Sequence, residues 1–211
     1  MRAEELVAET WRGLVQRQSS NAPAAVSVLD ELMRAYREPA RHYHTLAHIA
    51  ALLRQLEAYS GGVGNRDAVA LAIIFHDVVY DPRRQDNEQQ SAVVARERLA
   101  ALGFPASLIQ KVASYIEATQ HGREVDSEDA DLALLLDLDL STLASAPETY
   151  RLYASDIRRE YDHVPKAFYR LGRRQILEGF LARKQIYHTP LLAERWEARA
   201  RANISEEIAQ L

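Results

Sequence analysis

Apolar residues recur at helical spacing along almost the whole chain, and this pattern restricts the possible folds more than any other feature. The sequence contains no convincing pair of alternating strands and no Asn-Gly or Asp-Gly hairpin turn. We therefore predict an all-α fold. The predicted helices lie at about 2–18, 24–37, 45–59, 66–79, 87–102, 105–119, 127–139, 147–161, 165–186 and 190–208.

Capping residues support these boundaries. Asp86, followed three residues later by Gln89, predicts a capping box at the start of one helix, and Gly103 predicts its end. The length of 211 residues suits one large domain. We expect a single compact helical bundle over residues 1–211, with a functional core at about 40–145 and a basic C-terminal segment at about 147–211.

Composition excludes several classes of site. The chain has no cysteine, so it has no thiolate metal site, cysteine nucleophile or disulfide. Its N-terminus carries acidic residues and does not resemble a signal peptide, and no apolar run is long enough for a membrane span. These features predict a cytoplasmic protein.

Charge is unevenly distributed along the chain. The net charge is −4, which gives no sign of an extended nucleic-acid surface. Residues 151–211 nevertheless carry 12 basic against 8 acidic side chains. This excess suits either a small phosphorylated substrate or ordinary solvated helix faces.

Ionisable residues stand at the ends of strongly apolar helices. His76 and Asp77 directly follow the stretch LAIIF, where a buried His-Asp pair must be hydrogen-bonded or bind a metal. On the helix beginning near residue 45, His48 borders the apolar stripe, whereas His44 lies further toward the polar side. Asp137 and Asp139 end another apolar helix, and either could join the site. The alternative is a buried His–Asp network that only stabilises the bundle.

This ordered set resembles the H…HD…D signature of the HD-domain phosphohydrolase superfamily. The segments RHYHTLAHI and FHDVVYDPRRQDNEQQSA are similar to a subgroup of uncharacterised predicted metal-dependent hydrolases, and the resemblance covers about residues 36–200. It implies a helical bundle of the HD-domain type with extra C-terminal helices.

The resemblance implies a ligand set for one divalent ion, which could be Mn²⁺, Co²⁺, Fe²⁺, Zn²⁺ or Mg²⁺. Its members are His48, His76, Asp77 and, by its match to the motif, Asp139 rather than Asp137. It also implies an enzyme, a phosphohydrolase in which a metal-activated water attacks a nucleotide or another small phosphorylated metabolite. Asp77 and Asp81 are the predicted catalytic residues, with Asp81 as general base or water-orienting group. The other role for Asp81 is to end the helix together with Pro82.

Several residues are predicted to contact the substrate. Each also has an ordinary structural explanation, such as an exposed loop histidine or a solvated basic face. They are His44, Glu88, His121, Lys166, Arg170 and Arg173. His44 could instead support His48, and His121 could be a ligand of a second metal.

The sequence is also compatible with other functions. The chain could be a non-catalytic sensory module that binds metal and nucleotide, or a di-metal oxygenase of the same superfamily. It could also be a helical interaction protein with a structural histidine cluster. Exposed tyrosine, leucine and tryptophan side chains on the terminal helices would allow a homodimer.

Overall fold

A computed structural model of the chain describes residues 1–59, 61–120 and 128–211. All regular structure in these residues is helical, which confirms the predicted all-α class. Within the described residues, no helix is both long enough and apolar enough to cross a membrane. Contacts divide the chain into two compact units, residues 1–121 and 122–211. This boundary falls inside the predicted 40–145 core.

In its described residues, the first unit has six α-helices and one short 3-10 helix at Ala22–Ala24. The α-helices are α1 (Ala3–Gln18), α2 (Ala25–Ala35), α3 (Leu46–Tyr59), α4 (Arg66–Phe75), α5 (Asn87–Ala101) and α6 (Ala106–Ala118). Every residue of α4 from Ala68 to Phe75 is buried. A helix that is apolar on all sides belongs in the interior, so α4 is the central helix of this unit.

Side chains from other helices of the first unit pack around the C-terminal half of α4. The ring of Trp11 contacts Phe75 edge-on with 6.0 Å between centroids, and its indole N–H donates to the carbonyl of Ala25 at 3.0 Å. The hydroxyl of Tyr36 donates to the carbonyl of Ile74 at 2.8 Å. Burying side chains of this size contributes about 1.5–3 kcal/mol each. This packing places the C-terminal end of α4 in the interior of the first unit.

The second unit contains α7 (Ala130–Asp139), a 3-10 helix (Leu140–Ala144), α8 (Pro147–Glu160), α9 (Lys166–Ala182) and α10 (Pro190–Gln210). Its core includes Leu143, Tyr150, Leu177, Ile186 and Ile204. An ion pair lies among these helices, because the guanidinium of Arg173 on α9 contacts the carboxylate of Glu207 on α10 through two hydrogen bonds of 2.8 and 3.0 Å.

Three details differ from the sequence predictions. The helix predicted at 66–79 ends at Phe75. The carboxylate of Asp86 accepts from Arg84 and Gln90 and caps no backbone N–H, so the predicted capping box is wrong. Trp11 is 1% exposed, so it offers no surface for the predicted homodimer.

The predicted end of α5 at Gly103 is confirmed. Gly103 has a φ of +69°, which a residue with a side chain rarely adopts. A Cβ atom built there would lie 2.0 Å from the Oγ of Ser20. The chain therefore needs glycine at this position both for its backbone conformation and for space.

Candidate metal centre

His48 lies in the first turn of α3 and faces the interior. Its neighbours Leu46, Ile49 and Leu52 are buried, and His48 itself is only 7% exposed. The periodicity of the helix predicts this inward position, and the structure confirms it. A histidine at such a position loses contact with water, so its ring nitrogens need partners within the protein or a bound ion.

His76 and Asp77 follow the last residue of α4. The helix does not continue because the carbonyl of Ile74 accepts from Tyr36 while the amide of Val78 donates to Phe75 instead. The His-Asp pair therefore lies in a turn at the end of a fully buried helix. The His76 side chain is 3% exposed and the Asp77 side chain 15% exposed.

The ring of His76 is held in one orientation. Its Nδ1 atom lies 2.9 Å from the carbonyl oxygen of Ile73. A carbonyl oxygen only accepts hydrogen bonds, so Nδ1 carries a proton. In the neutral ring, Nε2 then carries the lone pair and can bind a metal ion, as in most histidine sites where a carbonyl orients the ligand.

Three donor atoms meet at this point. Nε2 of His48 and Nε2 of His76 lie 3.4 Å apart. Oδ2 of Asp77 lies 2.9 Å from the His76 atom and 3.8 Å from the His48 atom. Among the described residues, these three form the group of histidine and acidic side chains whose spacing could hold a metal ion.

The spacing fits a single ion. A point equidistant from the three atoms lies about 2.0 Å from each, close to the bond lengths of about 2.0–2.2 Å that Zn²⁺ makes with nitrogen and oxygen. Two imidazoles and one carboxylate also suit Mn²⁺, Fe²⁺ and Co²⁺. The donor set therefore fits a divalent cation with open coordination positions, and it does not distinguish among these metals.

The Asp77 carboxyl is ionised in this environment. Burial raises its pKa, but the positive charges that His76, His44 and His48 can carry outweigh burial and hold the pKa of Asp77 below its usual range. Asp77 is thus a carboxylate at neutral pH, which is the form that binds a cation. The same contacts also fit a metal-free network in which a protonated His76 donates to both Ile73 and Asp77.

Aromatic side chains lie beside the cluster, and two of them, Tyr43 and His44, belong to the segment before α3. The ring of His44 stacks on Tyr80 with 4.1 Å between centroids, and the ring of Tyr43 lies 4.8 Å from that of His48. His44 is thus close to the cluster, as predicted, although its role in substrate binding stays a prediction. Tyr80 was missed, because a tyrosine after a helix carries no signal specific to a site.

A second missed residue, Arg41, lies beside the cluster. Its side chain is only 2% exposed, and it donates to the carbonyls of Asp77 and Val78 at 2.5 and 3.0 Å. It opens the segment RHYHTLAHI, but it is no part of the H…HD…D signature and was therefore missed.

The structure does not bring Asp81 or Glu88 into the three-residue group. Oδ1 of Asp81 accepts from the backbone N–H of Arg83 at 2.9 Å, and its backbone pairs with the Asn87 side chain. Because α4 already ends at Phe75, these contacts lie in the loop before α5, and the alternative role of Asp81 in ending that helix is wrong. Glu88 is half-buried in the first turn of α5. The catalytic and substrate roles of both residues stay predictions.

The two aspartates of α7 differ in their contacts. Asp137 is fully buried, and its carboxylate accepts from the backbone N–H groups of His188 and Thr189 at 2.6 and 2.7 Å and from the Thr189 hydroxyl. It therefore holds the start of α10. Asp139 is the last residue of α7 and is half-buried. The structure thus gives Asp137 a structural role, and the choice of Asp139 as the fourth ligand stays a prediction.

The three basic residues of α9 that were predicted to contact the substrate differ in their exposure. Lys166 and Arg170 are exposed, whereas Arg173 is buried and paired with Glu207. The contacts of Arg173 are those of a structural ion pair, and a phosphate role for Lys166 and Arg170 stays a prediction. The predicted contact residue His121 lies outside the described residues.

The chain was compared with protein-family models, with curated proteins and with solved structures. None of the three comparisons gives a match. The case for this site therefore depends on its own geometry.

Proposed function

We propose that the chain is a metal-dependent phosphohydrolase of the HD-domain type, with the extra C-terminal helices that the sequence resemblance implies. The observation that supports it is the convergence of His48 Nε2, His76 Nε2 and Asp77 Oδ2 at distances suited to one divalent ion. The order of these residues along the chain, followed by Asp139, is that of the HD signature.

In this proposal each protein group has a separate task. His48, His76 and Asp77 hold the cation, which lowers the pKa of a water molecule and neutralises charge on a phosphate. The carbonyl of Ile73 keeps the His76 lone pair on Nε2, and the ionised Asp77 supplies negative charge next to it. Asp81 orients or deprotonates the attacking water, and Asp139 completes the ligand set.

The proposed substrate is a nucleotide or another small phosphorylated metabolite. Substrate contacts in this proposal come from His44, which stacks on Tyr80 beside the cluster, and from the exposed cations Lys166 and Arg170. An aromatic His–Tyr pair suits a phosphate ester that carries a flat ring system.

Metal content tests whether His48, His76 and Asp77 bind a divalent ion. Untagged protein and a His76→Ala/Asp77→Ala variant are analysed by plasma mass spectrometry, and helicity is checked by circular dichroism. The adjacent exposed pair Asp162 and His163 offers a matched control, changed to alanine in the same way. We expect about one divalent ion per chain in the parent and the control, and almost none in the variant.

Phosphate release from a panel of nucleotides and sugar phosphates tests whether the chain is a phosphohydrolase. The metal-loaded parent should release phosphate, the double variant should not, and Asp81→Asn should lower kcat while keeping its metal. Substrate that binds without turnover would favour the sensory module, and two ions per chain would favour a di-metal centre. A folded parent that takes up no Mn²⁺, Fe²⁺ or Co²⁺ would contradict the proposal in favour of a structural His–Asp network.

A further inference from the structure

Arg41 contacts both segments that supply the candidate ligands. Its guanidinium donates to the carbonyls of Asp77 and Val78, in the turn after α4. It also donates at 3.4 Å to the carbonyl of His44, in the segment that leads into α3 and His48. One side chain therefore links the His76-Asp77 turn to the start of the helix that carries the third ligand.

The acceptors around Arg41 are mostly backbone carbonyls. Its one acidic partner is Glu38, whose side chain is 55% exposed and 3.2 Å away. A buried guanidinium is stable only when its donors find acceptors in the right places. Because these acceptors belong to two separate backbone segments, the contacts of Arg41 are satisfied only when those segments are correctly placed. Its charge also lies at the C-terminal end of α4, where the helix dipole is negative.

We infer that Arg41 is a positioning residue for the metal centre, and this inference rests on the proposed function. It holds the backbone of Asp77 so that the carboxylate of the same residue stays 2.9 Å from His76 Nε2. Flanking aromatic rings hold the guanidinium in place, since its carbon lies 5.2 Å from the ring centre of Tyr36 and 5.6 Å from that of Tyr80. Tyr36 also donates to the carbonyl of Ile74, one turn earlier.

Lysine cannot make these contacts in place of arginine. The guanidinium has five N–H donors in a fixed plane, whereas an ammonium group has three donors on one atom. An Arg41→Lys variant keeps the charge and cannot contact all four acceptors together. Arg98 is a matched control in the same unit, because it makes a two-bond contact to Glu31 at 2.8 and 2.7 Å on a partly exposed surface.

The test is a Co²⁺ titration followed by visible absorption, with helicity and unfolding of each variant checked separately. Loss of a residue that orients metal ligands typically weakens metal binding by about 10–100-fold. We expect a loss of this size and an altered absorption band for Arg41→Lys. Arg98→Lys should bind like the parent. A merely structural role would lower stability and leave the absorption band of the loaded protein unchanged.

A second measurement needs no variant. If Arg41 favours metal binding, metal binding must favour the contacts of Arg41 by the same factor. Solvent exchange of the Arg41 side-chain N–H protons, followed by NMR, should therefore slow when Zn²⁺ is added. The Arg98 protons in the same sample should not change. This experiment applies even when Arg41→Lys does not fold.

The outcomes separate the two proposals. If the parent binds Co²⁺ and Arg41→Lys binds it equally well with the same band, the inference is overturned and the metal centre stands. If solvent exchange of the Arg41 side-chain N–H protons does not change when Zn²⁺ is added, the inference is overturned as well. A parent that binds neither Co²⁺ nor Zn²⁺ overturns the proposed function and this inference together.

Discussion

The Nδ1 atom of His76 donates to the carbonyl of Ile73 at 2.9 Å, so the opposite ring nitrogen, Nε2, faces Asp77. His76 and Ile73 are three residues apart at the C-terminal end of α4, so this bond is local to the end of the helix. The orientation of the candidate ligand depends on local structure more than on the contacts of the wider fold.

The protonation of this ring can be measured. In metal-free protein at neutral pH, ¹⁵N NMR of the imidazoles should show a protonated Nδ1 for His76, and added Zn²⁺ should leave its Nε2 unprotonated. Addition of Zn²⁺ should shift the Nε2 signals of His48 and His76 and leave the exposed His163 unchanged. Two protonated nitrogens on His76 that persist with added Zn²⁺ would instead indicate the metal-free His–Asp network.

The two aspartates of α7 should respond differently to substitution by asparagine. Asp139→Asn is expected to weaken metal binding at least about 10-fold with little loss of stability. Asp137→Asn is expected to keep the metal and to lower the free energy of unfolding by about 1–3 kcal/mol, because asparagine keeps only one of the two oxygens and leaves the N–H of His188 or of Thr189 without its acceptor. Metal titration and urea unfolding of both variants measure this, and a reversed pattern would assign the ligand to Asp137.

The lowered pKa of Asp77 predicts a pH-dependent stability. The ionised form of Asp77 is more stable in the folded state than in the unfolded state. Its contribution to the free energy of unfolding is therefore present above the unfolded pKa of about 3.9 and is lost as pH falls through the folded pKa. Urea unfolding of metal-free parent and Asp77→Asn, from pH 7 downward, should give a difference in stability that shrinks below about pH 4. A difference that does not change with pH would contradict this explanation.

The ion pair of Arg173 and Glu207 should matter for folding. The Arg173 side chain is 7% exposed and that of Glu207 is 11% exposed. Arg173→Met leaves the carboxylate buried without its partner, which costs about 3–5 kcal/mol. The exposed pair Arg151 and Glu206 is the control, where the same change should cost less than about 1 kcal/mol. Thermal unfolding measures both, and equal effects would show that burial of the pair is unimportant.

A combined variant refines this prediction. Replacing both partners by apolar residues, as Arg173→Met/Glu207→Leu, removes the unpaired charge and should recover much of the lost stability. The Tyr150 hydroxyl, which donates to Glu207 at 2.6 Å, then loses its acceptor and limits the recovery. A double variant no more stable than Arg173→Met would show that the loss comes from packing rather than from the charge.

The positions of most helices could be predicted because they follow from local periodicity. The end of α4 could not. The sequence continues to favour a helix as far as residue 79, but Tyr36 and Arg41 bind the carbonyls of Ile74, Asp77 and Val78. These donors lie more than thirty residues earlier in the chain, so a local pattern carries no information about them.

The candidate site was predictable to the extent that its residues interrupt apolar helices. His48, His76 and Asp77 each do so, and the structure brings these three together. Arg41 was not found because its partners are backbone carbonyls, which every residue has. The different contacts of Asp137 and Asp139 were also hidden, because they depend on the chain near Thr189.

Because α4 is buried on every side, it tolerates substitutions better than insertions or deletions. The helix begins after its Asn65 cap, which accepts from the Ala68 amide at 3.0 Å, and ends at the His-Asp turn. One inserted or deleted residue in between would rotate that turn by about 100° and shift it by about 1.5 Å. Side-chain substitutions can be absorbed by repacking, but a change in the length of this segment cannot. Homologues that keep the site should therefore keep the number of residues between Asn65 and His76.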